Sequence, residues 1–136
     1  MYDKPFSLQI ITPTGIAFQG EALSVTAPGV QGGFQVLYNH APLLSSLAIG
    51  EIRVTNRKRE QFLYAVSGGF LEVKNNLVVA LVDAIEHAPD IDVSRATRAR
   101  ERAETRMHSK DPSVDIDRAR LAMVRALNRL RVAAKN

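Results

Sequence analysis

An antiparallel β-sandwich of about ten strands followed by an antiparallel two-helix hairpin is the fold class this sequence predicts. Three observations carry that prediction. Residues 1–88 alternate apolar and polar side chains with a period of two, and Gly, Pro and Asn interrupt them at roughly the spacing of short strands. Beyond Asp92 there is no glycine and only one proline, Pro112, and the apolar residues recur at helical spacing. The charge changes at the same place: residues 1–88 sum to −1, whereas the whole chain carries +4 and twelve of its eighteen Lys and Arg lie beyond residue 88.

The elements follow in order. Phe6, Leu8 and Ile10 alternate with Ser7 and Gln9, and the turn signal Thr12-Pro13-Thr14-Gly15 precedes Ile16 and Phe18. Leu23 and Val25 precede Pro28-Gly29, Ile52 and Val54 flank Arg53, and Phe62, Tyr64 and Val66 form a further alternating run. Gly68-Gly69 reads as a turn or bulge between strand patterns. Asn75-Asn76 suits a tight hairpin because Asn tolerates positive φ. Leu77–Val82 is apolar throughout and reads as a strand buried on both faces. Pro89 ends the strand region, and Asp90 and Asp92 are suited to cap a helix. Ala96, Ala99, Ala103 and Met107 mark one helix, and Ile116, Ala119, Met123, Leu127 and Leu130 mark a second. The small residues let the two helices approach closely. Between them, 108–113 makes so short a connection that the pair must run antiparallel, with Pro112, Asp115 and Asp117 suited to the second helix's first turn. Two units result, a sandwich over 1–88 and a hairpin over 89–136.

Composition excludes several classes of function. Of the 136 residues, 46% are apolar, which is enough for a real core. The absence of cysteine removes disulfides, thiolate catalysis and cysteine-bound zinc. No apolar run reaches the roughly 20 residues needed to span a bilayer, and no secretory signal opens the chain. His40, His87 and His108 fit no zinc spacing. No phosphate-loop lysine motif, dinucleotide glycine fingerprint or nucleophile elbow occurs. The chain is therefore not expected to be an enzyme, to need a cofactor or to bind a metal.

The arginines point elsewhere. Arg95, Arg98, Arg102 and Arg106 fall on one face of the first helix, and Arg118, Arg125 and Arg129 repeat the pattern on the second. Stacked like charges form either a solvated face or a site for an anion, which the planar guanidinium grips bidentately. Nucleic acid would call for stacking aromatics, and no Phe, Tyr or Trp follows Phe70.

Five stretches in this order resemble the epsilon subunit of F-type ATP synthases. They are Ile11-Thr12-Pro13-Thr14-Gly15, Asn39-His40-Ala41-Pro42-Leu43-Leu44, Val66-Ser67-Gly68-Gly69-Phe70-Leu71-Glu72-Val73, Ile91-Asp92-Val93-Ser94-Arg95-Ala96 and Arg125-Ala126-Leu127-Asn128-Arg129-Leu130. The resemblance implies a proton-translocating complex in which the sandwich grips the gamma subunit and sits on the ring of c subunits. The hairpin would extend towards the alpha and beta subunits, meet an acidic segment of beta and inhibit ATP hydrolysis. It implies a non-catalytic rotor subunit, not a homo-oligomer, on the cytoplasmic face of a bacterial plasma membrane that it touches only through the complex. In some bacterial members ATP binds the hairpin. Ile91, Asp92, Arg95 and Ala96 match that motif, and the resemblance carries a regulatory ATP site over to Glu86, Asp92, Arg95, Arg102, Arg125 and Arg129.

The chain departs from the family pattern in one region. It has Gly33 where an acidic residue is common, followed by Phe34-Gln35-Val36-Leu37-Tyr38. The resemblance places the c-ring contact there, at Gln31, Gly33 and His40. Two other readings compete with the rotor subunit: a free-standing module whose basic hairpin docks on nucleic acid, and a small enzyme. The first would bind DNA with a steep salt dependence. The second lacks any nucleophile–base pair.

Overall fold

A computed structural model describes residues 3–135. One compact unit ends at His87 and a second begins at Ala88. The first holds seven strands: β1 (Phe6–Thr12), β2 (Gly15–Gly29), β3 (Gly32–Val36), β4 (Leu43–Asn56), β5 (Gln61–Lys74), β6 (Leu77–Val82) and β7 (Ile85–His87). The sheet order is β1-β6-β5-β4-β2-β3; β1 also pairs with β2, which closes the sheet, and β7 pairs with β5. A sandwich results from strands that pass from one layer to the other.

Seven strands rather than about ten form because three of them are long. β2, β4 and β5 have 15, 14 and 14 residues. The breaker residues inside them bend the chain instead of ending the strand. At Gly69 φ is +133°, and a Cβ there would collide with the Leu81 carbonyl oxygen. β5 accordingly pairs with β7 through Tyr64–Val66 and with β6 from Gly69 onwards. Gly68-Gly69 is therefore neither the turn nor the bulge that the sequence suggested: both glycines lie inside β5, whose register with β4 runs unshifted from Leu43 opposite Val73 to Thr55 opposite Gln61. Gly50 of β4 lies against Pro28 of β2, where a Cβ would be 2.5 Å from the proline Cβ.

Two further expectations are corrected. The sheet is not purely antiparallel, because β1 pairs with β6 in parallel, Ser7 opposite Leu77 through Ile11 opposite Leu81. Leu77–Val82 is not buried on both faces. Val78, Ala80 and Val82 enter the core, whereas Leu77 and Leu81 are exposed. Only the inward face of β6 has a second layer over it. The core gathers inward residues from most of the strands, including Phe6, Leu8, Ile10, Val25, Val36, Ile52, Val54, Leu71 and Val78. The Asn75-Asn76 turn between β5 and β6 has φ of 53° and 59°, the left-handed pair that a two-residue hairpin requires.

The second unit opens with a 3₁₀ turn, Ala88–Asp90, followed by helices α1 (Val93–Met107) and α2 (Ile116–Ala134). Asp92 and Asp115 are the N-caps; their carboxylates accept from the backbone N–H of Arg95 at 3.0 Å and of Arg118 at 3.1 Å. Asp90 is not a cap, because it closes the preceding 3₁₀ turn. Pro112 lies in the link before the helix rather than in its first turn. Ala96, Ala103, Ala119 and Ala126 are buried, as close approach of the two helices along a small-residue seam demands.

Candidate functional site

Close packing on alanine leaves little side chain between the helices to fill the space beside the seam. A groove of about 630 Å³ opens there, lined by Ala99, Ala103, Ala119 and Ala122 and by four arginines, Arg102, Arg106, Arg118 and Arg125. Ser113, Val114 and Asp115 complete the lining at the loop end. The helical steps 102–106 and 118–125 place two arginines of each row on the lining of this one groove.

The electrostatics of this groove are unbalanced. Arg98 donates to Ser94 Oγ at 2.7 Å, Arg120 pairs with Asp117 at 3.0 Å and Arg131 donates to Asn128 Oδ1 at 2.6 Å. Among the described residues, the side chains of Arg102, Arg106, Arg118 and Arg125 make no ion pair or hydrogen bond. The one carboxylate in the lining, Asp115, is occupied as the cap of α2. Four unneutralised cations around one concavity repel one another and favour any polyanion that reaches several of them at once.

Asp111 shapes the loop beside the groove. Its Oδ1 accepts from Ser113 N at 2.9 Å and Ser113 Oγ at 2.8 Å. Those bonds, the backbone one foremost, hold its carboxyl below the ordinary Asp value.

The residues carried over for a nucleotide site are thus distributed. Arg102 and Arg125 share the groove. Asp92 caps α1 and Arg95 is exposed in its first turn. Arg129 is half-buried on α2, and Glu86 lies on β7 opposite Ala65, in the other unit. None of these four lines the groove, whereas Arg106 and Arg118 do. Their membership was visible as part of the two arginine rows.

A second surface lies on the outer face of the sandwich. Cross-strand register aligns Ser46, Phe70, Leu81, Ile11 and Ile16 in one row across β4, β5, β6, β1 and β2. Phe70, Leu81 and Ile16 are exposed by 54%, 53% and 59%, and Leu44 of the adjacent row by 70%. Contiguous exposed apolar side chains of this size mark an interaction surface.

The three residues expected at a c-ring contact occupy loops and an edge. Gln31 is exposed between β2 and β3, and Gly33 sits on the edge strand β3 opposite Pro28. His40 follows β3 in a turn where its Nδ1 lies 2.7 Å from the Ala41 carbonyl oxygen. Among the described residues, no cluster of three or more metal-ligating side chains occurs, and no helix is long and apolar enough to cross a membrane.

Comparison with known proteins adds the family. Residues 5–88 match the family model for the ATP synthase Delta/Epsilon chain, beta-sandwich domain, and residues 90–134 match that for its long alpha-helix domain. The ATP synthase epsilon chain of Desulforamulus reducens is 44% identical over 130 residues, covering 96% of this chain and 98% of that one. That of Moorella thermoacetica is 46% identical over 127 residues, covering 93% and 95%. A chain in the Euglena gracilis mitochondrial ATP synthase has the same fold, with a TM-score of 0.84 at 22% identity over 97% of this chain and 82% of its own.

Proposed function

The chain belongs to the ATP synthase delta/epsilon family, as an epsilon chain, and from that premise we propose that it is a non-catalytic rotor subunit of a proton-translocating complex. Its sandwich grips the gamma subunit, and the 31–40 region meets the c ring. The hairpin reaches towards the alpha and beta subunits and restrains ATP hydrolysis. The complex holds the chain at the cytoplasmic face of a bacterial membrane; no helix of its own among the described residues could span one.

The observation that carries the proposal is the exposed row Phe70–Leu81–Ile11–Ile16. A gamma subunit is a large partner, and an apolar strip across four strands offers it a water-excluding contact. The test is co-purification. A tagged chain drawn gently from its own cells should bring gamma, alpha, beta and c subunits with it. Recovery of the chain alone would sink the proposal.

A second element of the same function is supported by the arginine groove. We take ATP as the polyanion that these four guanidinium groups hold, and a ligand that prefers one hairpin arrangement shifts the population towards it. Arg102, Arg106, Arg118 and Arg125 would hold the phosphates, while Glu86, Asp92, Arg95 and Arg129 are the further family-matched positions. Equilibrium dialysis of the full chain against millimolar ATP tests this. Absence of binding at that concentration removes the nucleotide and leaves the acidic segment of beta as the groove's anion.

A further inference from the structure

We infer that Asn76 is the positioning residue of the loop that presents His40, an inference that rests on the c-ring contact proposed above. Asn76 is the second residue of the β5–β6 turn, where its φ is 59°. Glycine satisfies the left-handed geometry of that position at lower cost than any other residue. The turn alone therefore does not explain an asparagine.

Its side chain does two things that glycine could not. Oδ1 accepts from the backbone N–H of Asn39 at 2.7 Å, across 37 residues of sequence. Nδ2 donates to the Pro5 carbonyl oxygen at 3.1 Å, across 71 residues. The backbone carbonyl of Asn76 accepts from Ser7 N–H at 3.2 Å as well. One residue thus ties the turn to the N-terminal segment and to the loop after β3.

That loop needs an external tie. Asn39 has φ of 56°, and the bonds local to the turn are His40 N–H to the Leu37 carbonyl at 3.3 Å and the His40 ring to Ala41. Lys4, beside Pro5, sits 5.4 Å from the Tyr38 ring centroid, so the N-terminal segment meets the loop on a second point. An exposed loop held only by weak local bonds samples many arrangements, and a rotor contact formed from it would lose ordering entropy on each association. The short bond from Asn39 to the Asn76 amide removes that freedom in advance.

The test uses the full chain with Asn76→Gly and Asn76→Asp, alone and assembled with gamma and isolated c ring. Glycine keeps the turn but removes both side-chain bonds; aspartate keeps the acceptor for Asn39 and tolerates the left-handed φ. In Asn76→Gly, exchange of the Asn39 amide proton should quicken about tenfold, as loss of one good hydrogen bond predicts. Retention on the c ring should fall with it, while gamma binding stays unchanged. Asn76→Asp should recover part of the Asn39 protection, and retention in step with it, because its carboxylate still accepts from Asn39 but turns an oxygen instead of an N–H towards the Pro5 carbonyl. Unchanged Asn39 exchange in Asn76→Gly overturns the inference, as does quickened exchange with full c-ring retention. A parallel loss of gamma binding also overturns it, since that signals general destabilisation. Failure of the wild-type assembly to hold the c ring overturns the rotor contact itself; Asn39 would still lose protection in Asn76→Gly, which tells that failure apart.

Discussion

Replacing Phe70 by alanine measures the apolar face directly. Phe70 sits on β5 opposite Leu81 and Ser46, and it is 54% exposed in the free chain. An aromatic side chain offers about 200 Å², so with 54% of it open, about 110 Å² is available to a partner. At about 25 cal/mol per Å² its burial is worth about 3 kcal/mol, or roughly a hundredfold in Kd. Isothermal titration of the full chain with recombinant gamma gives the number. The loss should be nearly independent of salt, because no charge is removed, and the heat-capacity change on binding should become less negative. The free variant should melt with the wild type, since an exposed side chain contributes little to its own fold, within about 0.5 kcal/mol. A Kd within threefold of wild type would refute the argument. A large drop in melting temperature would also count against it, by showing that Phe70 is part of the core.

Other substitutions test other links. Gly69→Ala combines a φ of +133° with a collision against the Leu81 carbonyl, whereas Gly15→Ala meets a φ of +147° and open space. Thermal melts should show the first losing at least about 2 kcal/mol more than the second, since strain alone costs about 1–3 kcal/mol at either site. Asp92→Ala and Asp115→Ala each remove an N-cap bond and should cost the hairpin about 1 kcal/mol, seen as reduced helicity at intermediate denaturant. Arg102→Ala and Arg125→Ala should each weaken anion binding by about tenfold or more without changing the sandwich melt, read by dialysis with labelled ATP. The Asp111 carboxyl is depressed by its bonds to Ser113, so its contribution to the loop is present above the ordinary Asp value and lost as pH falls through the lower folded value. The Ser113 amide should accordingly keep its bonded chemical shift at neutral pH and lose it only in strong acid, and a change near pH 6 would contradict this.

Much of this molecule was legible as sequence because the deciding interactions are local. Period-two alternation, the Asn75-Asn76 turn, the helical arginine rows and the caps at Asp92 and Asp115 all act within a few residues of the chain. The family could be read from five short stretches for the same reason: each is a local backbone requirement or a local site. The strand count was not legible, because Gly50, Gly69 and Pro28 look like breaks until neighbouring strands are present to be bent around. Nor was the exposure of Leu81, since hydrophobicity records that a residue can be buried, not whether a second layer lies over it. The parallel pairing of β1 with β6 and the convergence of Arg102, Arg106, Arg118 and Arg125 are likewise tertiary. The sequence alone determined the elements and the cationic character of the hairpin. Only the folded chain decided which apolar face stays open and which four arginines share a groove, because both depend on register between segments far apart in sequence.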